Sequence, residues 1–92
     1  MFAHILRQMR DRVRTNQYVM TLHAADEMDN DGLSIFDVER GILTGQIVER
    51  QQDQGTGEWK YLIEGQTMDN DLVTVVAKLS VTGKLVIITV YL

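Results

Sequence analysis

The spacing of apolar residues changes at Gly45, and this change constrains the fold more than any other feature of the sequence. Before Gly45, apolar side chains recur every three to four residues, which is the period of a helix with one buried face. After Gly45, side chains alternate with a period of two, which is typical of strands. The sequence therefore predicts helices in its first half and a sheet in its second half.

Three helices are predicted before Gly45. Apolar residues with arginines between them indicate the first, and Thr21 and Ser34 are side chains that can cap the N-termini of the other two. Ser34 is followed three residues later by Asp37, which is the spacing of a capping box. Gly45 is suited to ending the third helix. The predicted helices cover residues 2–15, residues 22–29 and the segment from Ser34 to Gly45.

Four strands are predicted after Gly45, at residues 46–52, 59–65, 72–79 and 84–91. The connections between them are short and contain turn-forming residues, so neighbouring strands should pair as antiparallel hairpins. The predicted fold is α+β, with N-terminal helices packed on one face of a four-stranded C-terminal antiparallel sheet. The last strand is apolar on both faces, so helices or a second copy of the chain should cover it, and a homodimer is one expectation.

Size and composition restrict the class of protein. A chain of 92 residues has material for one core, so residues 1–92 should form a single domain. The absence of cysteine excludes disulfides and thiolate zinc sites, which fits the cytoplasm. No apolar run approaches the roughly 18 residues of a membrane-spanning helix, so no membrane partner is expected. The net charge of -4 argues against broad, nonspecific binding of polyanions.

The charges are unevenly distributed along the chain. Residues 1–17 contain four arginines and one carboxylate, whereas acidic residues dominate from position 26 to position 39. This pattern predicts a molecule with a basic end and an acidic end. Arg7, Arg10 and Arg14 share one face of the first helix, where they can bind phosphate or an acidic partner, or can simply be solvated.

Several segments together resemble a known family. They are residues 22–34 (LHAADEMDNDGLS), residues 37–39 (DVE), residues 42–49 (ILTGQIVE) and residues 88–91 (ITVY). The sequence resembles the bacterial domain-of-unknown-function family 4258, whose pattern begins with His-Ala, passes through a Met and a turn of Gly, Leu or Ile, and Ser or Thr, and ends in a strand like residues 88–91. The resemblance covers about residues 18–91.

The resemblance implies a fold and a role. Members of that family are often encoded beside zinc-finger antitoxin-like proteins of the YgiT type, and their layout is similar to that of the RelE-like ribonuclease toxins. The resemblance therefore implies the toxin half of a toxin-antitoxin pair. Its partner would be a small antitoxin-like protein encoded next to it, and its substrate would be RNA.

Two residues match the polar signature positions of the family, and three depart from them. His23 and Tyr91 match. Many relatives carry basic residues where this chain has Glu27 and Asp31, and a His where it has Thr74. Acidic side chains repel RNA phosphate, so these departures favour a protein that has lost ribonuclease activity.

RNA cleavage through the 2′-hydroxyl needs a base, an acid and cations near the charged phosphorane. Histidine is a common general acid or base, and Lys60 and Tyr91 can add a charge and a hydrogen bond, so His23, Lys60 and Tyr91 are the candidate catalytic residues. Further contacts to RNA or to a partner are expected from Arg7, Arg10, Arg14, Arg50 and Lys78.

His23 can instead be a structural residue that bonds Glu27 one turn later. These two side chains alone do not make a metal site, and no metal or other cofactor is expected.

Two hypotheses about function follow. In the first, the chain is a RelE-like toxin that cleaves RNA and is neutralised by its small partner. In the second, the chain is a noncatalytic interaction module that binds another protein by strand addition or charge complementarity. Trp59 and Tyr61, which alternate with Lys60, fit either hypothesis, because they can stack on bases or pack in the core.

Overall fold

The computed structural model describes residues 2–92, which contain three helices and a five-stranded sheet. The elements in chain order are helix α1 (Ala3–Arg14), strand β1 (Tyr18–Met20), helix α2 (Leu22–Asn30), helix α3 (Ile35–Thr44), and strands β2 (Gln46–Gln52), β3 (Trp59–Gln66), β4 (Leu72–Leu79) and β5 (Leu85–Tyr91). The helices and the four C-terminal strands lie within one or two residues of their predicted bounds.

The sheet has the strand order β1-β5-β4-β3-β2. Strands β2 to β5 form the predicted antiparallel meander, and β1 adds a fifth strand that runs parallel to β5. The prediction of a four-stranded antiparallel sheet is therefore wrong, because it omits β1. Strand β1 is only three residues long, too short to show a period, and its pairing with β5 bridges a large separation in sequence.

The helices pack on one face of the sheet. Ile63, Val75 and Ile87, from the three central strands, are fully buried beneath side chains such as Met9 of α1 and Ile42 of α3. Alternate residues of the same strands point to the opposite side. That side is not covered by a helix in the described part of the chain, and we call it the open face. It carries, among others, Leu62 and Glu64 on β3, Thr74 and Val76 on β4, and Tyr91 on β5.

Helix α3 lies unusually close to β3 at a pair of glycines. A Cβ atom added to Gly65 would overlap the carbonyl oxygen of Gly41, and a Cβ atom added to Gly41 would lie 2.8 Å from a methyl group of Val73. The two glycines therefore allow the backbones of helix and strand to come into direct contact.

Helices α1 and α2 attach to opposite ends of β5. Arg12 of α1 donates from Nε to the carbonyl oxygen of Gly83, 2.6 Å away, in the turn before β5. Glu27 of α2 accepts from the backbone amide of Val90, near the other end of the strand. The arginine-rich helix and the acidic helix are thus separated along the length of the sheet.

Candidate functional site

Helix α2 replaces a strand at the edge of the sheet. Strand β1 ends at Met20, and β5 has an irregularity between Ile87 and Thr89, so β5 needs other hydrogen-bond partners beyond this point. Thr21 supplies the first: its hydroxyl donates to the carbonyl oxygen of Ile88 at 3.0 Å. The same hydroxyl oxygen accepts from the amide of Ala24, so the cap of α2 is fixed to the sheet.

Glu27 supplies the second partner and holds His23. Its Oε1 accepts from the amide of Val90 at 3.1 Å and lies 3.2 Å from Nε2 of His23. Glu27 is mostly buried, whereas 68% of the His23 side chain is exposed. The carboxylate is therefore held by the backbone, and it orients an imidazole that is exposed to solvent. This is the bond to Glu27 that the structural interpretation of His23 predicts, and it is also the arrangement that orients a general base.

The structure places Tyr91 near this pair and Lys60 far from it. Tyr91 directly follows Val90 and lies in register with Thr74, which in turn lies in register with Glu64. Lys60 is four residues from Glu64 along β3, a distance of about 13 Å at the rise of a strand. His23 and Tyr91 therefore share one end of the sheet, and Lys60 lies at the other end.

The three arginines of the α1 row have different roles. Arg10 donates from Nε to the carbonyl oxygen of Ile42 at 3.3 Å and from a terminal nitrogen to that of Gly45 at 2.7 Å. Its charge thus satisfies carbonyl groups at the C-terminal end of α3, where a cation is favourable. Arg7 and Arg14 remain exposed and border a shallow surface depression of about 280 Å³.

The two candidate cations of the sheet, Arg50 on the edge strand β2 and Lys78 on the central strand β4, are already in contact with other side chains. The Lys78 ammonium lies 2.5 Å from a carboxylate oxygen of Glu58. The Arg50 guanidinium lies 4.0 Å from the ring centre of Trp59, a cation-π contact. Tyr61 packs in the core, as one of its two interpretations expects, so the β3 aromatics do not form a continuous platform for bases.

A groove on α3 was not predicted. Phe36 and Met68 are 64% and 59% exposed and, together with Leu43, border a cavity of about 240 Å³, which we call the α3 groove. The one feature of the sequence that points to this groove is Phe36, an aromatic residue outside the buried helical face that contains Val38 and Ile42. Met68 gave no signal, because it lies in a predicted hairpin loop.

The turn that carries Met68 is fixed to α3. Asp37 Oδ1 accepts from the amide of Met68 at 2.8 Å, and Arg40 donates from Nε to the carbonyl oxygen of Thr67 at 3.1 Å. Backbone hydrogen bonds from Ser34 and Met68 hold the pKa of Asp37 below its ordinary value of 3.8. The Met68 side chain is therefore presented to solvent by a rigid support.

Two further properties limit what the described residues can do. In residues 2–92, no group of three or more His, Cys, Asp or Glu side chains is arranged to hold a metal ion. Within the same range, no helix combines the length and the apolar character that crossing a membrane requires.

The comparison with protein families identifies the chain. The family model of the domain of unknown function DUF4258 matches residues 20–92. The chain belongs to the DUF4258 family. The DUF4258 match includes α2, with His23 and Glu27, and extends through Tyr91, but α1 with its arginines lies outside it. Comparisons with curated proteins and with solved structures gave no match.

Proposed function

We propose that this DUF4258 domain is the toxin-related half of a bacterial toxin-antitoxin module, and that it acts by binding a small protein in the α3 groove. The single observation that carries the proposal is the exposed pair of Phe36 and Met68 on a rigid support. The expected neighbour is an antitoxin-like protein, since the resemblance described above implies such a gene beside this one. Both proteins would work in the cytoplasm.

The α3 groove has the properties of a binding hot spot. Contiguous apolar patches on a folded domain mark contact surfaces, and Phe36, Leu43 and Met68 border the same cavity. Phe36 is anchored on a helix, and the backbone of Met68 is held by Asp37, so little conformational entropy would be lost on binding. Fixed apolar anchors of this kind favour a partner with a matching apolar surface.

The charges around the groove indicate the chemistry of that partner. Glu39 accepts from the hydroxyl of Tyr18 at 2.6 Å, and Arg40 donates to the carbonyl oxygen of Thr67, so both flanking charged groups are already hydrogen-bonded within the domain. The adjoining turn adds Asp69 and Asp71, both exposed. An amphipathic helix with apolar residues on one face and basic residues beside them fits this surface.

Co-expression with the product of the neighbouring gene tests the proposal. The wild-type domain should copurify with that product, and Phe36→Ser or Met68→Ser should weaken the complex at least tenfold in calorimetric titration. Val81→Ser is the matched control, because Val81 is 95% exposed in a distant turn. Unchanged affinity of both groove variants would exclude this site, and circular dichroism should show that all variants are folded.

The His23 site supports a second candidate function, RNA cleavage. The favourable observation is the imidazole oriented by Glu27, with Tyr91 at the same end of the sheet. Lys60 is too distant to act with them, and the neighbouring residues of α2 are acidic. Cation stabilisation of the phosphorane is therefore weak at this site.

Expression of the chain without its neighbour tests the second candidate. A ribonuclease should arrest growth and degrade RNA, His23→Ala should abolish both effects, and Tyr91→Phe should reduce them. His4→Ala is the control, because His4 is also an exposed histidine, on α1. Normal growth and intact RNA at high expression of wild type would reject the ribonuclease hypothesis without affecting the binding proposal.

A further inference from the structure

The open face of the sheet has an apolar centre. Val76 lies at its middle and is only 7% exposed, although no helix covers this side in residues 2–92. Its cross-strand neighbours are Leu62 on β3 and Thr89 on β5, and Val86 and Leu72 extend the apolar surface along the strands. Leu62, Val86 and Leu72 are less completely covered than Val76, and together they form an apolar surface that can pack against another layer.

The charges of β3 are arranged symmetrically about this centre. The open face of β3 carries every second residue, namely Lys60, Leu62 and Glu64. The two opposite charges therefore lie at equal distances, about 7 Å, on either side of Leu62. Neither Lys60 nor Glu64 forms an ion pair with another side chain in the described residues. Each charge is therefore available to a partner.

A two-fold axis through this centre makes the surface complementary to itself. The axis lies in the plane between the two sheets and runs perpendicular to the strands at Leu62. Rotation about it reverses the strand direction, so Lys60 of each copy faces Glu64 of the other. We propose that two copies of this chain associate through their open faces in this way, with Leu62 covered at the centre, beside the already buried Val76, and two reciprocal Lys60–Glu64 ion pairs. A contact in which the same patch is used twice is the usual form of a two-fold dimer.

The alternative two-fold arrangement is disfavoured by charge. An axis parallel to the strands would place Lys60 against Lys60 and Glu64 against Glu64. In the proposed arrangement, Glu49 of one copy lies near Glu49 of the other. Both are exposed on the edge strand β2, where solvent and salt screen their repulsion.

This inference does not depend on the proposed function. The open face and the α3 groove lie on opposite sides of the sheet, since α3 packs on the buried face. A dimer through the open face leaves Phe36 and Met68 free for a different protein. Failure of one proposal therefore leaves the other intact.

Sedimentation analysis of the full chain tests the dimer. Wild type should shift from monomer to dimer between about 10 and 500 μM, the range expected of a small interface. Lys60→Glu and Glu64→Lys should each weaken association at least tenfold, because each puts like charges at both contacts. The double variant Lys60→Glu/Glu64→Lys should restore it, and an equimolar mixture of the two single variants should form heterodimers.

Lys84→Glu is the control for charge reversal, because Lys84 is an exposed lysine in the β4–β5 turn, and it should leave association unchanged. A wild-type chain that stays monomeric throughout the range overturns the proposal, as does a double variant no better than the single ones. If wild type is monomeric and Leu62→Arg abolishes binding of the neighbouring gene's product, the open face is the binding site of that protein instead. Thermal unfolding of every variant confirms that the domain is intact.

Discussion

Glu27 connects helix α2 to the end of strand β5 and also contacts His23. Its carboxylate accepts the Val90 amide where β5 has lost its neighbouring strand, and the same oxygen faces His23. The bond to the backbone is needed whether or not His23 is catalytic, because an unpaired amide at a partly buried sheet edge is costly. Structural and functional explanations of Glu27 can therefore be separated only by measuring stability and activity on the same variants.

Replacing Glu27 should destabilise the fold. Glu27→Ala leaves the Val90 amide without its partner, and the expected loss in the free energy of unfolding is about 2 kcal/mol. Glu27→Gln keeps an acceptor oxygen and should lose less than half of that. Urea denaturation measures both, with Asp26→Ala, an exposed neighbour on the same helix, as the control. Equal stability of Glu27→Ala and wild type would show that the edge amide is satisfied in another way.

Asp37 should make stability depend on acid pH. Its pKa in the folded domain is lowered by backbone hydrogen bonds from Ser34 and Met68. A lowered pKa adds stability that is fully present above the ordinary, unfolded pKa of 3.8 and is lost as pH falls through the folded value. Asp37→Asn should therefore lower the melting temperature most above about pH 5, and the difference from wild type should shrink towards pH 3. A difference that is constant over this range would contradict the assigned role.

At the scale of elements, α3 depends on direct contact with β3. Gly65→Ala would place a methyl group against the Gly41 carbonyl oxygen, and neither backbone can move without disturbing the core. The expected destabilisation is about 3 kcal/mol, at the upper end for overpacking. The measurement is again urea denaturation, and Gln66→Ala, the exposed next residue of β3, is the control. A Gly65→Ala protein as stable as wild type would mean that α3 can move away from the sheet at little cost.

The elements also show how far sequence predicts this structure. The capping box of Ser34 and Asp37 and the alternation of β3 to β5 are local signals, and the elements they predict are present. Strand β1 is missed because three residues show no period and because its partner is far along the chain. The His23–Glu27 contact follows from helical spacing, whereas the role of Val90 depends on the β5 irregularity, which has no local signal. Spacing along the chain does not reveal strand register, so the sequence alone groups Lys60 with His23 and Tyr91, although the structure separates them.

At the scale of the whole molecule, α1 lies outside the DUF4258 match and yet completes the core. Leu6, Met9 and Val13 are buried, and Arg10 binds carbonyl groups at the C-terminal end of α3. Without α1, the strand residues beneath it would be exposed, and α3 would lose its C-terminal partner. A segment that matches a family is thus not necessarily a segment that folds alone.

A chain limited to residues 18–92, which keeps β1 but lacks α1, should therefore lack a cooperative fold. Exposing the core surface beneath Leu6, Met9 and Val13 removes several kcal/mol of apolar burial, which is comparable with the whole stability of a small domain. Near-ultraviolet circular dichroism should be lost and thermal unfolding should become broad, while the full chain keeps both signals. A peptide of residues 2–17 added in trans should restore part of the signal, and the same peptide with Leu6→Ser and Met9→Ser should not. A sharp transition in the shortened chain alone would show instead that α1 is an addition to a domain that is stable without it.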